Sequence, residues 1–156
     1  LIGIDLDGRS LTLAEENAKN KTGNFEASFF KRDAWHLNAA EECDILTSNG
    51  LNIYEPNDRK VVALYDQFYK ALKPGGILVT SFLTPPPLLS KDSPWRNYNP
   101  GDVLKQKALF GDIIEASWQS FRTESQTRQQ LEEVGFKVTD IIYDTQYMFP
   151  TVVARK

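Results

Sequence analysis

Residues 58–83, DRKVVALYDQFYKALKPGGILVTSFL, hold a helix, a tight turn and a strand with nothing between them. Val61, Tyr65, Phe68 and Leu72 recur at helical spacing, with Val62 and Tyr69 beside them, so a helix opening at Asp58 has one apolar face. Lys73-Pro74-Gly75-Gly76 stops it, because proline cannot continue a helix and glycine accepts the positive φ that turns the chain. The run ILVTSFL, residues 77–83, follows at once as a strand. Such quick alternation predicts a parallel α/β sheet.

Upstream the same rhythm holds. LIGID, residues 1–5, is a compact apolar run ending in a carboxylate, which predicts a short buried strand. Ser10 is positioned to cap the following helix, whose apolar residues are Leu11, Leu13, Ala14 and Ala18, and residues 20–24 close it. Phe25, Ala27 and Phe29 alternate with polar neighbours, predicting a strand over residues 25–32, and ECDILTS, residues 42–48, predicts a third.

Downstream it breaks. Pro85, Pro86 and Pro87 forbid a central strand, and Pro94, Pro100 and Gly101 keep the next stretch irregular. A helical pattern over residues 102–121 is interrupted at Gly111. Regular structure resumes at Thr123, which forms a capping box with Gln126; Leu131 and Val134 face inward and Gly135 ends that helix. Residues 136–143 and 147–154 read as strands paired antiparallel across a short turn at Asp144-Thr145. The expectation is a single, partial domain over residues 1–156 with an insertion at 84–122.

Bulk properties narrow the function. Of the 156 residues, 41% are apolar and 25% charged, as in an ordinary globular protein. No apolar run approaches the roughly 20 residues that span a bilayer, which predicts no membrane partner. A net charge of -3 and no basic stripe argue against a nucleic-acid partner. Cys43 is the sole cysteine and His36 the sole histidine, so an intrachain disulfide and a structural zinc site are excluded. The expectation is no metal and a reducing, cytoplasmic setting.

Five stretches in order resemble the class I, Rossmann-like S-adenosylmethionine-dependent methyltransferases. IGIDLDGRSLTLAEENAK, residues 2–19, is similar to the family's second strand and following helix, where an acidic strand end accepts both ribose hydroxyls of the cofactor. KRDAWHL, residues 31–37, is similar to the adenine-binding loop. CDILTSNGLNIYEP, residues 43–56, matches the strand leading to the transferable methyl group, and LKPGGILVTSFL, residues 72–83, the helix-turn-strand after it. LEEVGFKVTDIIYD and YMFPTVVARK match the family's final antiparallel hairpin.

The resemblance implies an α/β fold: a Rossmann-like methyltransferase sheet, mostly parallel, with a C-terminal antiparallel hairpin. It also implies S-adenosylmethionine as cofactor and a small-molecule acceptor. Asp5, Leu6, Asp33, Ala34 and Ser48 fall at the cofactor positions, with Trp35 beside them as a pocket wall and Asn49 next to the transferable methyl group. A general base is needed only if the acceptor carries a proton when it attacks, and His36, Tyr54 and Glu55 are the candidates, so Asn49, Tyr54 and His36 are the expected catalytic residues. Each has a plainer reading: Asp5 and Asp7 suit a helix start, and a lone histidine is more often a surface or packing residue. The insertion carries Trp95, Tyr98, Phe110, Trp118 and Phe121, enough aromatic surface to enclose a planar acceptor. Those aromatics serve equally as the core of a helical cap, the reading preferred for Trp118 and Phe121, and Lys91, Arg96, Lys105 and Lys107 read as a solvated face.

The chain opens at Leu1 inside an apolar run, without the strand and glycine-rich loop that begin the family's fold. That strand would sit mid-sheet, between the one ending at Asp5 and the one ending near Thr47. Its absence predicts exposed strand edges, association into a homodimer and poor cofactor binding. Two other readings stand: a non-catalytic interaction module retaining the fold, and a nicotinamide-dependent dehydrogenase, which the final hairpin and the KPGG turn argue against.

Overall fold

The helix of residues 58–83 forms because both ends are chemically marked. Asn57 caps it, its side chain accepting from the amides of Arg59 and Lys60, and the helix runs Asp58–Ala71 (α2). In the computed structural model, which describes residues 1–21, 23, 25–114 and 119–156, α2 buries Val61, Leu64, Tyr65, Phe68 and Ala71. The chain then enters a strand, Leu72–Ser81 (β4), five residues sooner than the glycine turn implied. Leu72 already pairs with Cys43, and the register slips between Cys43 and Ile45 to absorb the turn. Gly75 has φ +77°, and a Cβ on Gly76 would lie 2.9 Å from the Lys73 carbonyl, so both glycines are required there.

The described residues form two compact units, Leu1–Ala39 and Ala40–Lys156. In the first, Ile2–Asp5 (β1) leads to Gly8–Lys19 (α1), Ser28–Lys31 (β2) and a 3-10 turn at Ala34–His36. β1 and β2 pair in parallel from Ile2 opposite Ser28 to Asp5 opposite Lys31, so the length of β1 sets where β2 begins. The cap of α1 is Asp7, whose carboxylate accepts from the Arg9 amide at 3.0 Å. Ser10, expected to be the cap, instead lies in the first turn and donates to Asp7 at 3.1 Å. The aspartate is the cap because the helix begins three residues before the expected position. Thr22 and Asn24, in the expected close of this helix, lie outside the described residues.

The second unit carries a four-stranded sheet in the order β3-β4-β6-β5, with β3 at Cys43–Ser48, β5 at Lys137–Ile142 and β6 at Thr151–Arg155. β3 and β4 are parallel; β6 runs antiparallel to both β4 and β5. Leu78, Val152 and Ala154 of the sheet pack with Leu64, Tyr65 and Phe82 in a fully buried core. Thr123 and Gln126 form the expected capping box on Glu124–Glu133 (α4), and Gly135 turns out of that helix at φ +106° against the Tyr69 ring.

Two details of the insertion and hairpin differ from expectation. Asn99 caps a helix at Pro100–Gln106 (α3) that widens into a π-helical turn, Lys107–Ile113, so the backbone stays helical through Gly111. Proline at the first helical position starts it two residues early, its missing N–H costing nothing there. Trp118, assigned to this insertion, lies outside the described residues. The β5–β6 connection is longer than Asp144-Thr145. Tyr147, expected in a strand, sits in the turn at φ +60°. The Asp144 carboxylate builds that turn by accepting from Gln146, Met148 and Phe149 at 2.7, 3.4 and 2.6 Å.

Thr84 and Arg122, at the two ends of the expected insertion, are both pinned. Thr84 Oγ1 donates to the Tyr147 carbonyl at 2.7 Å, and the Arg122 amide donates to the Leu83 carbonyl at 2.8 Å. The Arg122 guanidinium donates to the carbonyls of Asn52 and Glu55 at 2.8 and 2.7 Å and to Asp58 at 2.9 Å. Its side chain is 3% exposed, whereas that of Asp58 is 62% exposed. Removing the arginine strands two carbonyls; removing the aspartate takes the counter-charge from the guanidinium and an acceptor from Gln130, at a site that solvent reaches. Arg122→Ala is expected to destabilise the fold by about 2–4 kcal/mol in urea unfolding, and Asp58→Ala by less, about 1–2 kcal/mol. Equal losses for the two variants would contradict this assignment.

Candidate functional site

In the first unit the parallel pairing of β1 and β2 brings their carboxyl ends side by side, and the Arg32 amide donates to the Asp5 carbonyl at 3.1 Å. Asp5 Oδ1 accepts from the Asp7 amide at 2.8 Å, its only side-chain hydrogen bond among the described residues. Asp7 is different: its carboxylate is occupied by the Arg9 amide and the Ser10 hydroxyl, which hold it below the ordinary carboxylate value. So the two acidic residues divide the work, Asp7 as helix cap and Asp5 with an oxygen to spare. Leu6, between them, is exposed.

Asp33, two residues past β2, caps the 3-10 turn. It accepts from the Trp35 amide at 3.0 Å and lies 2.9 Å from His36 Nδ1, contacts that lower its pKa in that order. Ala34 supplies the first amide of the turn, a position outside its internal hydrogen bonds. The His36 ring is 77% exposed, and Asp33 is its hydrogen-bonding partner. Trp35 is half-buried.

In the second unit Ser48 ends β3 opposite Thr80 of β4. Asn49 is exposed, and Gly50 then reverses the chain at φ +67° into a 3-10 turn, Leu51–Tyr54. A Cβ at Gly50 would lie 2.7 Å from Ile53 and 3.3 Å from the Ser81 hydroxyl, so a side chain there would collide with the turn and crowd the end of β4. Asn52, buried, donates to the Tyr65 hydroxyl at 3.0 Å; burial raises the pKa of that phenol and keeps it neutral. Tyr54 is exposed. Glu55 accepts from the Asn57 amide at 2.8 Å and pairs with Lys60 at 3.6 Å, so its carboxylate serves the loop.

The insertion leaves β4 at this same end. The Trp95 indole donates to Thr84 Oγ1 at 2.9 Å, and Trp95 meets Tyr98 edge to face at 6.1 Å. Lys105 and Lys107 pair with Asp102 and Asp112 at 3.1 and 3.6 Å, as a solvated face would. Arg96 departs from that reading, its guanidinium lying 4.4 Å from the centre of the Tyr147 ring. Among the described residues no group of three His, Cys, Asp or Glu is placed to hold a metal, and no helix is long and apolar enough to cross a membrane.

A family model for a methyltransferase domain matches residues 1–76. Among solved structures, a "possible exported protein" from Bordetella parapertussis superposes at TM-score 0.93 and 49% identity, over 100% of this chain and 53% of that one. A SAM-dependent methyltransferase from Methanosarcina mazei superposes at TM-score 0.68 and 17% identity, covering 99% of this chain and 81% of that one. The chain has the class I S-adenosylmethionine-dependent methyltransferase fold. A magnesium protoporphyrin IX methyltransferase from Synechocystis with bound SAH gives TM-score 0.68 at 17% identity, over 99% of this chain and 63% of its own. The chain thus spans about half the length of the Bordetella protein. A search of curated proteins finds no match.

Sequence reading missed Arg122, Thr84 and the organising role of Asp144 in this methyltransferase fold. Only Asp144 carried a signal, an aspartate opening a turn whose amides follow within five residues. Burial by itself pushes the Asp144 carboxyl up, but the amides of Phe149, Gln146 and Met148 outweigh it, so it titrates below its ordinary 3.8. A depressed folded pKa stabilises above the ordinary value and loses that contribution as pH falls through the folded one. Stability measured by urea unfolding is therefore expected to fall with acidification below about pH 4, and Asp144→Asn to flatten that slope. An unchanged slope in the variant would contradict it.

Proposed function

We propose that this chain belongs to an S-adenosylmethionine-dependent methyltransferase acting on a small-molecule acceptor. The observation that carries the reading is Asp5: a strand-end carboxylate with one oxygen used by its own loop and the other available. A ribose offers two hydroxyl donors, and such an acceptor suits them. Asp33 and Ala34 present an acceptor and an amide donor on consecutive residues, the pattern an adenine edge needs, with Leu6 as an apolar border.

S-adenosylmethionine supplies an activated methyl carbon on a sulfonium, so the protein's task is alignment and exclusion of water. In the second unit Ser48, at the end of β3, is proposed as a further cofactor contact, and Asn49 and Tyr54, on the turn after it, as catalytic residues. Residues 84–114 and 119–122 are proposed as the acceptor cap. His36 is a candidate to take an acceptor proton at Nε2, with Nδ1 remaining bonded to Asp33.

A non-catalytic interaction module is the second reading. It draws on the first unit, where Leu37 is the sole buried apolar side chain among the described residues and Leu1, Ile2, Leu6 and Leu13 are exposed. Such a surface suits association, and a homodimer is proposed with it.

Calorimetric titration with S-adenosylhomocysteine separates the two. Asp5→Ala is expected to weaken binding tenfold to a hundredfold, about 1.5–3 kcal/mol, and Asp33→Ala to weaken it less. Wild-type affinity in Asp5→Ala would remove Asp5 from the site, and no binding by the unaltered chain would favour the interaction module.

A further inference from the structure

The junction between residues 85–99 and the β5–β6 turn is held in an unusual way. Asn97 at φ +50° and Tyr147 at φ +60° both occupy the left-handed region, which for an aromatic residue is costly. They belong to two segments that are bonded together. The Arg96 amide donates to the Gln146 carbonyl at 3.0 Å, and the Asn97 side chain donates to the Thr145 carbonyl at 3.2 Å. Tyr147 stacks on Tyr143, centroids 4.6 Å apart at 26°, and Arg96 lies against the same ring. Tyr143 in turn donates to Glu124 at 2.7 Å, and Glu124 pairs with Arg128, so the stack is anchored on α4.

Backbone strain at two facing residues persists only where the surroundings over-determine it. Here a cation–π contact, a ring stack and two hydrogen bonds converge on one turn. None of them is needed to form the core, which lies between the helices and the sheet. What they fix is residues 85–99, a segment without regular secondary structure that starts at the carboxyl end of β4 and carries Trp95 and Tyr98. The indole bond to Thr84 pins Trp95 beside that strand end, and both aromatics keep part of their surface exposed.

We propose that Arg96 and Tyr147 are positioning residues that clamp residues 85–99 into a fixed wall, and that the Trp95–Tyr98 pair on this wall selects a planar aromatic acceptor. The word acceptor rests on the methyl-transfer reading; the planar-ligand wall does not. A flat ring gains from stacking against an immobilised aromatic pair, and a puckered ring of similar size gains less. Freeing the segment removes that advantage without touching the strand-end carboxylates.

Saturation-transfer NMR of the full chain with 2-naphthol and cyclohexanol tests this. The unaltered protein is expected to saturate 2-naphthol in preference to cyclohexanol. Arg96→Ala and Tyr147→Ala are expected to lose about two- to fivefold of that preference, the scale of an exposed cation–π contact, and Tyr147→Phe, which keeps the ring, to retain it. S-adenosylhomocysteine binding and the unfolding midpoint are followed in parallel. Because Arg96 is exposed, Arg96→Ala remains informative if Tyr147→Ala does not fold. Equal saturation of both probes, no saturation of either, or a preference that survives Arg96→Ala would overturn the proposal. Selectivity that follows the prediction in a chain that does not bind S-adenosylhomocysteine would support the wall and count against methyl transfer instead.

Discussion

The buried guanidinium of Arg122 is the constraint on which the second unit's architecture depends. A side chain that is almost wholly enclosed donates to two loop carbonyls and one carboxylate, while its own amide closes onto the end of β4. Arginine is suited to this because its planar fork presents several donors in fixed directions, which lysine does not. The carbonyls belong to the turn that follows β3, and the carboxylate opens α2. One residue therefore holds together the loop after the first parallel strand, the start of the following helix and the return of a long insertion. Burying a charge in this way is tolerated because each guanidinium nitrogen has a partner, and one of those partners is a carboxylate.

That clasp also fixes the loop beyond β3. Gly50 turns sharply because the loop beyond it is tied down by Arg122, and Thr84 and the Asp144 turn fix the opposite side of the insertion. The carboxyl ends of β3 and β4 are thus framed by side-chain hydrogen bonds. In the first unit a similar economy holds, with Asp7 serving the helix so that Asp5 retains an oxygen. In both units, capping and loop closure are carried by residues next to the candidate ligands.

Much of this was legible in the sequence, and the failures have physical causes. α2, β3 and α4 were readable because their signals are local: a helical apolar stripe, a short apolar run, a reciprocal capping box. The resemblance over five ordered stretches reached the fold correctly, including the antiparallel final hairpin. Ser10 was mistaken for a cap because serine and aspartate compete for that role three positions apart, and only backbone geometry decides. Tyr147 was placed in a strand because its neighbours are apolar; the turn is made by Asp144 reaching across five residues, which no alternation reveals. Arg122 could not be found at all, since its partners lie more than sixty positions away. Arg96 was counted with surface lysines because charge patterning does not show which ring lies beneath a guanidinium.

The central proposal is that the strand-end acidic residues of the first unit bind the nucleoside of S-adenosylmethionine. A 15N-resolved NMR titration of the chain with S-adenosylhomocysteine tests it most directly. Saturable shifts are expected at the amides of Asp5, Leu6, Asp33 and Ala34, with the core amides of α4 unmoved. Saturable shifts elsewhere that leave those four amides in place would contradict it.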